Sequence, residues 1–324
     1  MKKNIAIVMG GYSSEVNISL KSGNVVYNHL NKEKYNPFRV HILKEKWVAL
    51  DTSDTEYTID KNDFSFLLGD KKIIFDCVFN AIHGAPGENG ELLAYFNLIN
   101  LKHTSAPFYQ MALTFNKRDT LSVVKEYGIK TAVSVYLNKG DVVNLDKIIA
   151  KVGLPCFVKP NNAGSSYGIS KVHTKTEMLP ALEKAYQEDS EILIESFLDG
   201  PEVSVGVIKY KGETKVMPIT EIVTENDFFD YEAKYEGKSQ EITPARISEA
   251  IKMKVEEAAK KVYTILNMSG FSRSEFILVD NEPFFLEMNT VPGLTENSIL
   301  PQQAQAAGII LKELFDNAIE NALH

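Results

Sequence analysis

The chain reads as a mixed α/β and α+β protein that opens on an α/β unit with a parallel sheet. Three observations point there. An unbroken apolar run at residues 5–9, in a strand that starts at Asn4, ends in Gly10-Gly11 and leads into a helical pattern, as a buried strand does when it turns into its crossover helix. Further short apolar runs alternate with helical stretches along the chain. At 324 residues the sequence is also longer than one compact core ordinarily organises, so two or three domains are expected.

In the first unit a helix is expected from about Ser14 to Leu30, with strands at residues 38–43 and 74–80. The glycine-rich turn from His83 to Gly90 then leads into a helix through Leu98, and the unit closes near Thr114. Gly10-Gly11 lacks the spaced G-x-G-x-x-G pattern, so a dinucleotide fingerprint is not supported. A second unit begins at Asn116-Lys117-Arg118 with a helix that runs to Tyr127 and stops at Gly128. Strands follow at residues 132–137, 156–159 and 168–172, then a helix after Thr176 and a strand at 191–195. From Glu202 onward come strands at 202–207 and 216–219, a long polar stretch, a helix from Ile247 to about Leu266, an acidic hairpin and one final helix.

The net charge of -8, without a Lys/Arg block, argues against nucleic acid as the main partner. Cys77 and Cys156 both lie in apolar runs and read as reduced core residues. The apolar run after Met1-Lys2-Lys3 is too short for a signal peptide, and no later stretch is long enough to cross a bilayer. A cytoplasmic enzyme with no membrane partner is the expectation.

The hairpin holds the densest chemistry. In Phe271-Ser272-Arg273-Ser274-Glu275-Phe276 and Leu286-Glu287-Met288-Asn289, alternation puts Arg273 with Glu275 on one face, and Glu287 with Asn289. A turn centred on Asn281 sets Glu275 opposite Glu287 and Arg273 opposite Asn289. Like charges directly opposite are destabilising, so the pair points to a cation between them, and Mg²⁺ favours such oxygens together with substrate phosphates. The alternative is a solvated face or a register displaced by one residue.

Other segments divide in the same way. The loop Lys159-Pro160-Asn161-Asn162-Ala163-Gly164-Ser165-Ser166-Tyr167-Gly168 has small residues that can bring backbone N–H groups and hydroxyls to phosphate oxygens, with Lys159 as the positive charge. It is not a Walker A loop, and a flexible hairpin is the competing reading. The link from Glu195 to Glu202 resembles a hinge on which adenine and ribose can rest, or an ordinary acidic turn. The stretch from Ile219 to Pro244, rich in aromatics, reads as a lid or as disorder. Glu15 sits at the first βα turn, where ligands often bind, though first-turn helix stabilisation is its simplest role.

Taken in order, Gly10-Gly11-Tyr12-Ser13-Ser14-Glu15, His83-Gly84, Val158-Lys159-Pro160, Gly164-Ser165-Ser166, Tyr231-Glu232-Ala233-Lys234-Tyr235, Arg273, Leu286-Glu287-Met288-Asn289 and Pro292-Gly293 resemble the D-alanine–D-alanine ligases of the ATP-grasp family. The resemblance spans nearly the whole chain. It implies a three-domain ATP-grasp architecture: residues 1–115 as the N-terminal α/β substrate-binding domain, 116–199 as the central domain, and 200–324 as the C-terminal domain with lid and metal site. It implies ATP-dependent, ADP-forming ligation of two D-alanines through an acyl phosphate, for peptidoglycan precursors, in a cytoplasmic homodimer.

Residue by residue, the resemblance assigns Lys117 and Lys159 to the phosphates, the segment of Glu195, Phe197 and Leu198 to adenine and Glu202 to the ribose, with Ser165, Ser166 and Lys234 as further nucleotide-binding residues. Glu275, Glu287 and Asn289 would hold two Mg²⁺ ions, with Mn²⁺ able to substitute. Glu15 and His83 would meet the first D-alanine, Ser298 and Ile299 the second. Arg273 and the Gly293 amide would stabilise the oxyanion, and Tyr235 would close the lid through Ser165 and Glu15. Ser196 stands where relatives carry Lys, while Tyr235 matches dipeptide-forming relatives, which favours an amine as second nucleophile. Two other readings stay open: another ATP-grasp carboxylate–amine ligase, or a nucleotide-binding regulatory protein without turnover.

Overall fold

The protein is described by a computed structural model covering residues 2–162, 164, 167–224 and 239–324. The first unit comprises β1 (Lys3–Gly10), α1 (Val16–His29), β2 (Tyr35–Ile42), β3 (Trp47–Leu50), β4 (Glu56–Thr58), β5 (Phe66–Leu68), β6 (Lys71–Ile73), β7 (Cys77–Asn80), α2 (Glu91–Leu98) and α3 (Phe108–Phe115). Its sheet runs β4-β3-β2-β1-β7. Residues Ile5 to Met9 are fully buried because β1 is covered on both faces, and β1 pairs in parallel with β2 and β7. The sheet is not parallel throughout, since β3 and β4 continue it antiparallel from β2. These short edge strands and the β5–β6 hairpin carry too little periodicity to stand out in the sequence.

The second unit contains α4 (Lys117–Glu126), β8 (Ser134–Asn138), α5 (Leu145–Val152), β9 (Cys156–Pro160), β10 (Ser170–Val172), α6 (Lys175–Glu188) and β11 (Glu191–Ser196). The Asn116 side chain caps α4 by accepting the Asp119 N–H at 3.0 Å, and the chain leaves the helix through Gly128 at φ +75°. The sheet is antiparallel in the order β10-β9-β11-β8. Cys156, Val158, Ile192 and Ile194 point to one face and form a core with α5 and α6. By alternation Phe157, Lys159, Leu193 and Glu195 take the other face, so packing of the helices decides which residues the site receives.

The third unit contains β12 (Glu202–Tyr210), β13 (Glu213–Val216), β14 (Thr220–Thr224), β15 (Ser239–Ile242), α7 (Glu249–Ile265), β16 (Phe271–Val279), β17 (Glu282–Asn289), α8 (Ile299–Ala306) and α9 (Leu311–Leu323). Its strands run β15-β14-β12-β16-β17, with β13 on the far part of β12. The strand expected at 216–219 is replaced by β13 and β14 on either side of it. The single final helix is two, α8 and α9, divided near Gly308 at φ +76°.

The acidic hairpin turns on two residues, Asp280 and Asn281, both at positive φ (50° and 62°), rather than on Asn281 alone. Beside the turn Val279 pairs with Glu282 and Phe276 with Phe285; an irregularity between Glu275 and Phe276 then shifts the register by one. Glu275 thereby stands opposite Glu287, and Arg273 opposite Asn289, as expected, because a bulge makes up for the shorter turn.

The first and third units share packing. Phe79 of β7 meets Phe315 of α9 edge-on at 5.7 Å, and the Leu294 N–H donates to Ser22 Oγ of α1 at 3.2 Å. Among the described residues no helix is long and apolar enough to cross a membrane.

Candidate active site

A cavity of about 400 Å³ opens between the exposed-facing side of the second sheet and the third unit. Lys159 and Glu195 line it from the central sheet, Phe197 and Leu198 from the link, and Glu202, Glu275 and Glu287 from the third unit, with Lys117 at the start of α4. Lys159 Nζ lies 2.7 Å from Glu195 Oε2, and Glu195 is only 4 % exposed. Burial acts against the Lys159 ammonium, but Glu195, Glu287 and Glu202 outweigh it and hold its pKa above the usual lysine value. The Glu195 carboxylate is thus committed to a lysine. Phe157 and Phe197 lie 6.2 Å apart, with Lys171 over the Phe197 ring at 4.6 Å. Ser196, in place of a cation, accepts the Val133 N–H through its hydroxyl at 3.0 Å and so serves the sheet edge.

At the inner end of the cavity the acidic pair meets two cations. Arg273 Nη1 donates to Glu275 Oε1 and, at 2.8 Å, to Ser204 Oγ; Lys117 Nζ lies 3.3 Å from Glu287 Oε2. Asn289 Nδ2 approaches Glu275 Oε1 at 3.4 Å. Burial opposes the Arg273 charge, yet Glu275, Glu287 and Glu241 hold its pKa above the ordinary guanidinium value. Among the described residues no group of three or more His, Cys, Asp or Glu side chains forms a metal cluster. The donor set is two opposed carboxylates and one amide, all oxygens that suit Mg²⁺ when phosphate and water complete the shell, so these residues fit that ion.

Outside the lining of this cavity, the first and third units meet near Arg273, whose charge acts on His83. Glu15 is the N-cap of α1 and makes no side-chain cap bond. Two glycines leave room for its carboxylate: a Cβ on Gly84 would come within 3.2 Å of Glu15 Oε2, and one on Gly164 within 3.0 Å. His83 is 6 % exposed, with Nε2 3.1 Å from Ser22 Oγ, and burial lowers its pKa. Gly293 sits against Ser298, since a Cβ there would be 2.7 Å from Ser298 Oγ. Ser298 is the N-cap of α8; its hydroxyl pairs with Thr295 Oγ1 at 2.7 Å. The Ile299 side chain is buried against Ile222, so this residue can offer a ligand its backbone rather than its side chain.

Ser165, Ser166, Lys234 and Tyr235 lie outside the described residues. Two acids not singled out in the sequence reading belong to the site. Glu88 accepts the Gly84 N–H at 3.0 Å and the Thr290 N–H at 3.4 Å, so it joins the first unit to the third; burial, with Glu15 close by, pushes its carboxyl up to about 7. An acid inside the glycine-rich turn after β7 was the available signal. Glu241 lies on β15, where nothing in its local sequence set it apart from a surface acid.

Residues 4–106 match the family model for the D-ala D-ala ligase N-terminus, and residues 123–320 that for the D-ala D-ala ligase C-terminus. The chain is 69 % identical, over 99 % of both chains, to a D-alanine–D-alanine ligase of Flavobacterium johnsoniae. It is 58 % identical to one of Christiangramia forsetii, over 100 % of this chain and 99 % of that one. Its structure is similar to that of the VanG D-Ala:D-Ser ligase of Enterococcus faecalis, with TM-score 0.88, 29 % identity and 99 % of each chain covered. It is also similar to a Bacillus anthracis D-alanine–D-alanine ligase complexed with ATP, with TM-score 0.80, 28 % identity, and 99 % and 97 % of the two chains covered.

Proposed function

The chain belongs to the D-alanine–D-alanine ligase family, and we propose how its residues carry out that family's ATP-dependent joining of two D-alanines for cell-wall synthesis. A carboxylate is a poor electrophile, so the first D-alanine must be activated by phosphoryl transfer before an amine can displace phosphate from it. Lys117 and Lys159, which both line the cavity, offset phosphate charge, and Phe197, Leu198 and Glu202 receive the nucleoside. Glu275, Glu287 and Asn289 would hold Mg²⁺, as two ions with Glu287 shared and with Mn²⁺ able to substitute; the metal supplies charge neutralisation during transfer.

Glu15 accepts the ammonium of the first D-alanine, with His83 beside it as a neutral hydrogen-bonding group. The Ser298 hydroxyl and the N–H groups opening α8 take the carboxylate of the second. Arg273 and the Gly293 N–H face the carbonyl oxygen as it gains negative charge. Arg273 is held in place by Ser204 and Glu275, which limits the reorganisation needed when that charge forms. Residues 1–115, 116–199 and 200–324 are taken as the three working domains, in a cytoplasmic homodimer.

The observation that carries this reading is the opposition of Glu275 and Glu287 at the inner end of the cavity, each paired with a cation positioned to serve phosphate or oxyanion. A coupled ADP-release assay tests it with D-alanine, L-alanine, D-serine and D-lactate as substrates. ADP release dependent on Mg²⁺ and D-alanine, with dipeptide as product, is expected. ADP release independent of any amino acid, or preferring the L-isomer, would overturn it.

A further inference from the structure

The reaction needs a group that takes a proton from the second D-alanine, because an ammonium has no lone pair with which to attack. We infer that Glu241, on the strand at the opposite edge of the sheet from the acidic hairpin, is that proton acceptor. The inference rests on the ligase reading above and deepens its second half.

Strand register sets the direction of the side chain. Glu241 pairs with Ile222, Ile222 with Glu202, and two residues along β12 Ser204 pairs with Glu275 and Gly206 with Arg273. Paired residues, and residues two apart, share a face, so Glu241 projects from the same side of the sheet as Arg273 and Glu275. Electrostatics agrees, since Glu241 acts on the Arg273 charge and Arg273 and Glu275 act on Glu241. From the other side, α8 fixes the carboxylate. Gln302 Nε2 donates to Glu241 Oε2 at 3.3 Å and to the Asn297 carbonyl at 2.7 Å, which places Glu241 against the first turn of α8 beside Ser298. Among the described residues no donor reaches Oε1.

Glu241 therefore stands between the guanidinium assigned to the oxyanion and the helix start assigned to the second carboxylate, where the second amine must lie. Burial pushes its carboxyl above the ordinary glutamate value, with Glu275 acting the same way and Arg273 and Gln302 acting against it, so it is a better base than a solvated glutamate. Among the described residues, the charged groups on its face of the sheet include Arg273 and Glu275 from β16 and Glu202 from β12. Its neighbours Ile222 and Gln302 are neutral, and Glu221 takes the opposite face of β14, paired with Arg246. Glu88 is a poorer candidate, since each of its oxygens already accepts a backbone N–H.

In the step, the ammonium gives one proton to Glu241 and its nitrogen then bonds to the acyl carbon. The bond from that carbon to the phosphate oxygen breaks with its electron pair, and the second nitrogen proton leaves with hydrogen phosphate. Amide, hydrogen phosphate and protonated Glu241 balance the reactants.

Glu241→Gln and Glu241→Asp separate the two halves of the reaction. Hydroxylamine, a nucleophile that is neutral near pH 7, traps the acyl phosphate as alanyl hydroxamate without a base. For Glu241→Gln, dipeptide formation should fall by about 10²-fold while hydroxamate formation persists. The acid limb of kcat/KM for the second D-alanine should give way to a rate that tracks the free-amine fraction, and Glu241→Asp should recover part of the loss. Dipeptide formation with the wild-type rate and acid limb would overturn the assignment, as would equal loss of hydroxamate and dipeptide. Absence of D-alanine-dependent ADP release by the unmodified enzyme would instead defeat the ligase reading.

Discussion

Glu275 and Glu287 stand directly opposite one another on adjacent antiparallel strands, and each is held by a cation, one from the same strand and one from far along the chain. Arg273 pairs with the first, and Lys117, more than 150 residues earlier than either, pairs with the second. Two facing carboxylates repel. The arrangement persists because guanidinium and ammonium share the charge, and the same four groups then suit metal and phosphate.

Replacing Glu287 with Gln removes half of that charge and one oxygen donor. The Mg²⁺ concentration giving half-maximal ADP release should rise by at least about tenfold. Chelation of divalent ions should abolish turnover in the unmodified enzyme. An unchanged Mg²⁺ titration would remove Glu287 from the metal.

Arg273→Ala deletes the proposed oxyanion donor while leaving Lys117 and Lys159 in the cavity proposed for the nucleotide. Turnover should fall by roughly 10²–10³. Nucleotide affinity, measured by calorimetry, should change little. A variant that turns over at a near-normal rate would show that the guanidinium serves only Glu275 and Ser204.

Glu195→Gln leaves the Lys159 ammonium, whose side chain is 16 % exposed, without its nearest carboxylate. Removing one partner of a buried pair costs about 3 kcal/mol, a figure lowered here by the additional charges of Glu287 and Glu202. Urea denaturation should register the loss, and ATP affinity should weaken because the lysine is no longer held. Equal stability of the two proteins would mean that the pair is solvated in solution.

Glu88 titrates near pH 7 in the folded protein, above its unfolded value, so folding takes up protons at this site. Its contribution is fully present below about pH 4.5 and is lost as pH rises through about 7. Relative to the unmodified enzyme, Glu88→Gln should therefore gain Tm progressively between those limits, whatever constant offset the lost backbone contact adds. A Tm difference independent of pH would show that Glu88 is not held in its neutral form.

Gly293→Ala puts a methyl group 2.7 Å from Ser298 Oγ. The hydroxyl must move, so KM for the second D-alanine should rise while KM for ATP stays the same. Parallel changes in both constants would place Gly293 outside the second-substrate pocket.

Much of this was legible in the one-dimensional pattern. The apolar run of β1, the helix that stops at Gly128, and the alternation of Arg273, Glu275, Glu287 and Asn289 are local signals, and local periodicity predicts which residues share a face. The pairing of Glu275 with Glu287 was also anticipated. It depends on a two-residue turn and a compensating bulge, however, whose backbone conformations the residue pattern did not specify. The edge strands β3 and β4, and the division of the last helix at Gly308, were missed because short or broken elements carry little periodicity.

Side-chain identity and spacing determine the chemical inventory of this protein: hard oxygen donors, two lysines, an arginine and a glycine-lined first turn. Partner choice is a matter of three-dimensional packing. Lys159 meets Glu195 because α5 and α6 cover the opposite face of their sheet, Glu88 joins Gly84 to Thr290 across two units, and Glu241 reaches the face of Arg273 through four strands in register. Contacts between residues far apart in sequence leave no periodic trace along the chain. They arise only when burial of apolar faces brings the units together, and so the acids at Glu88 and Glu241 acquire their chemistry from the folded state.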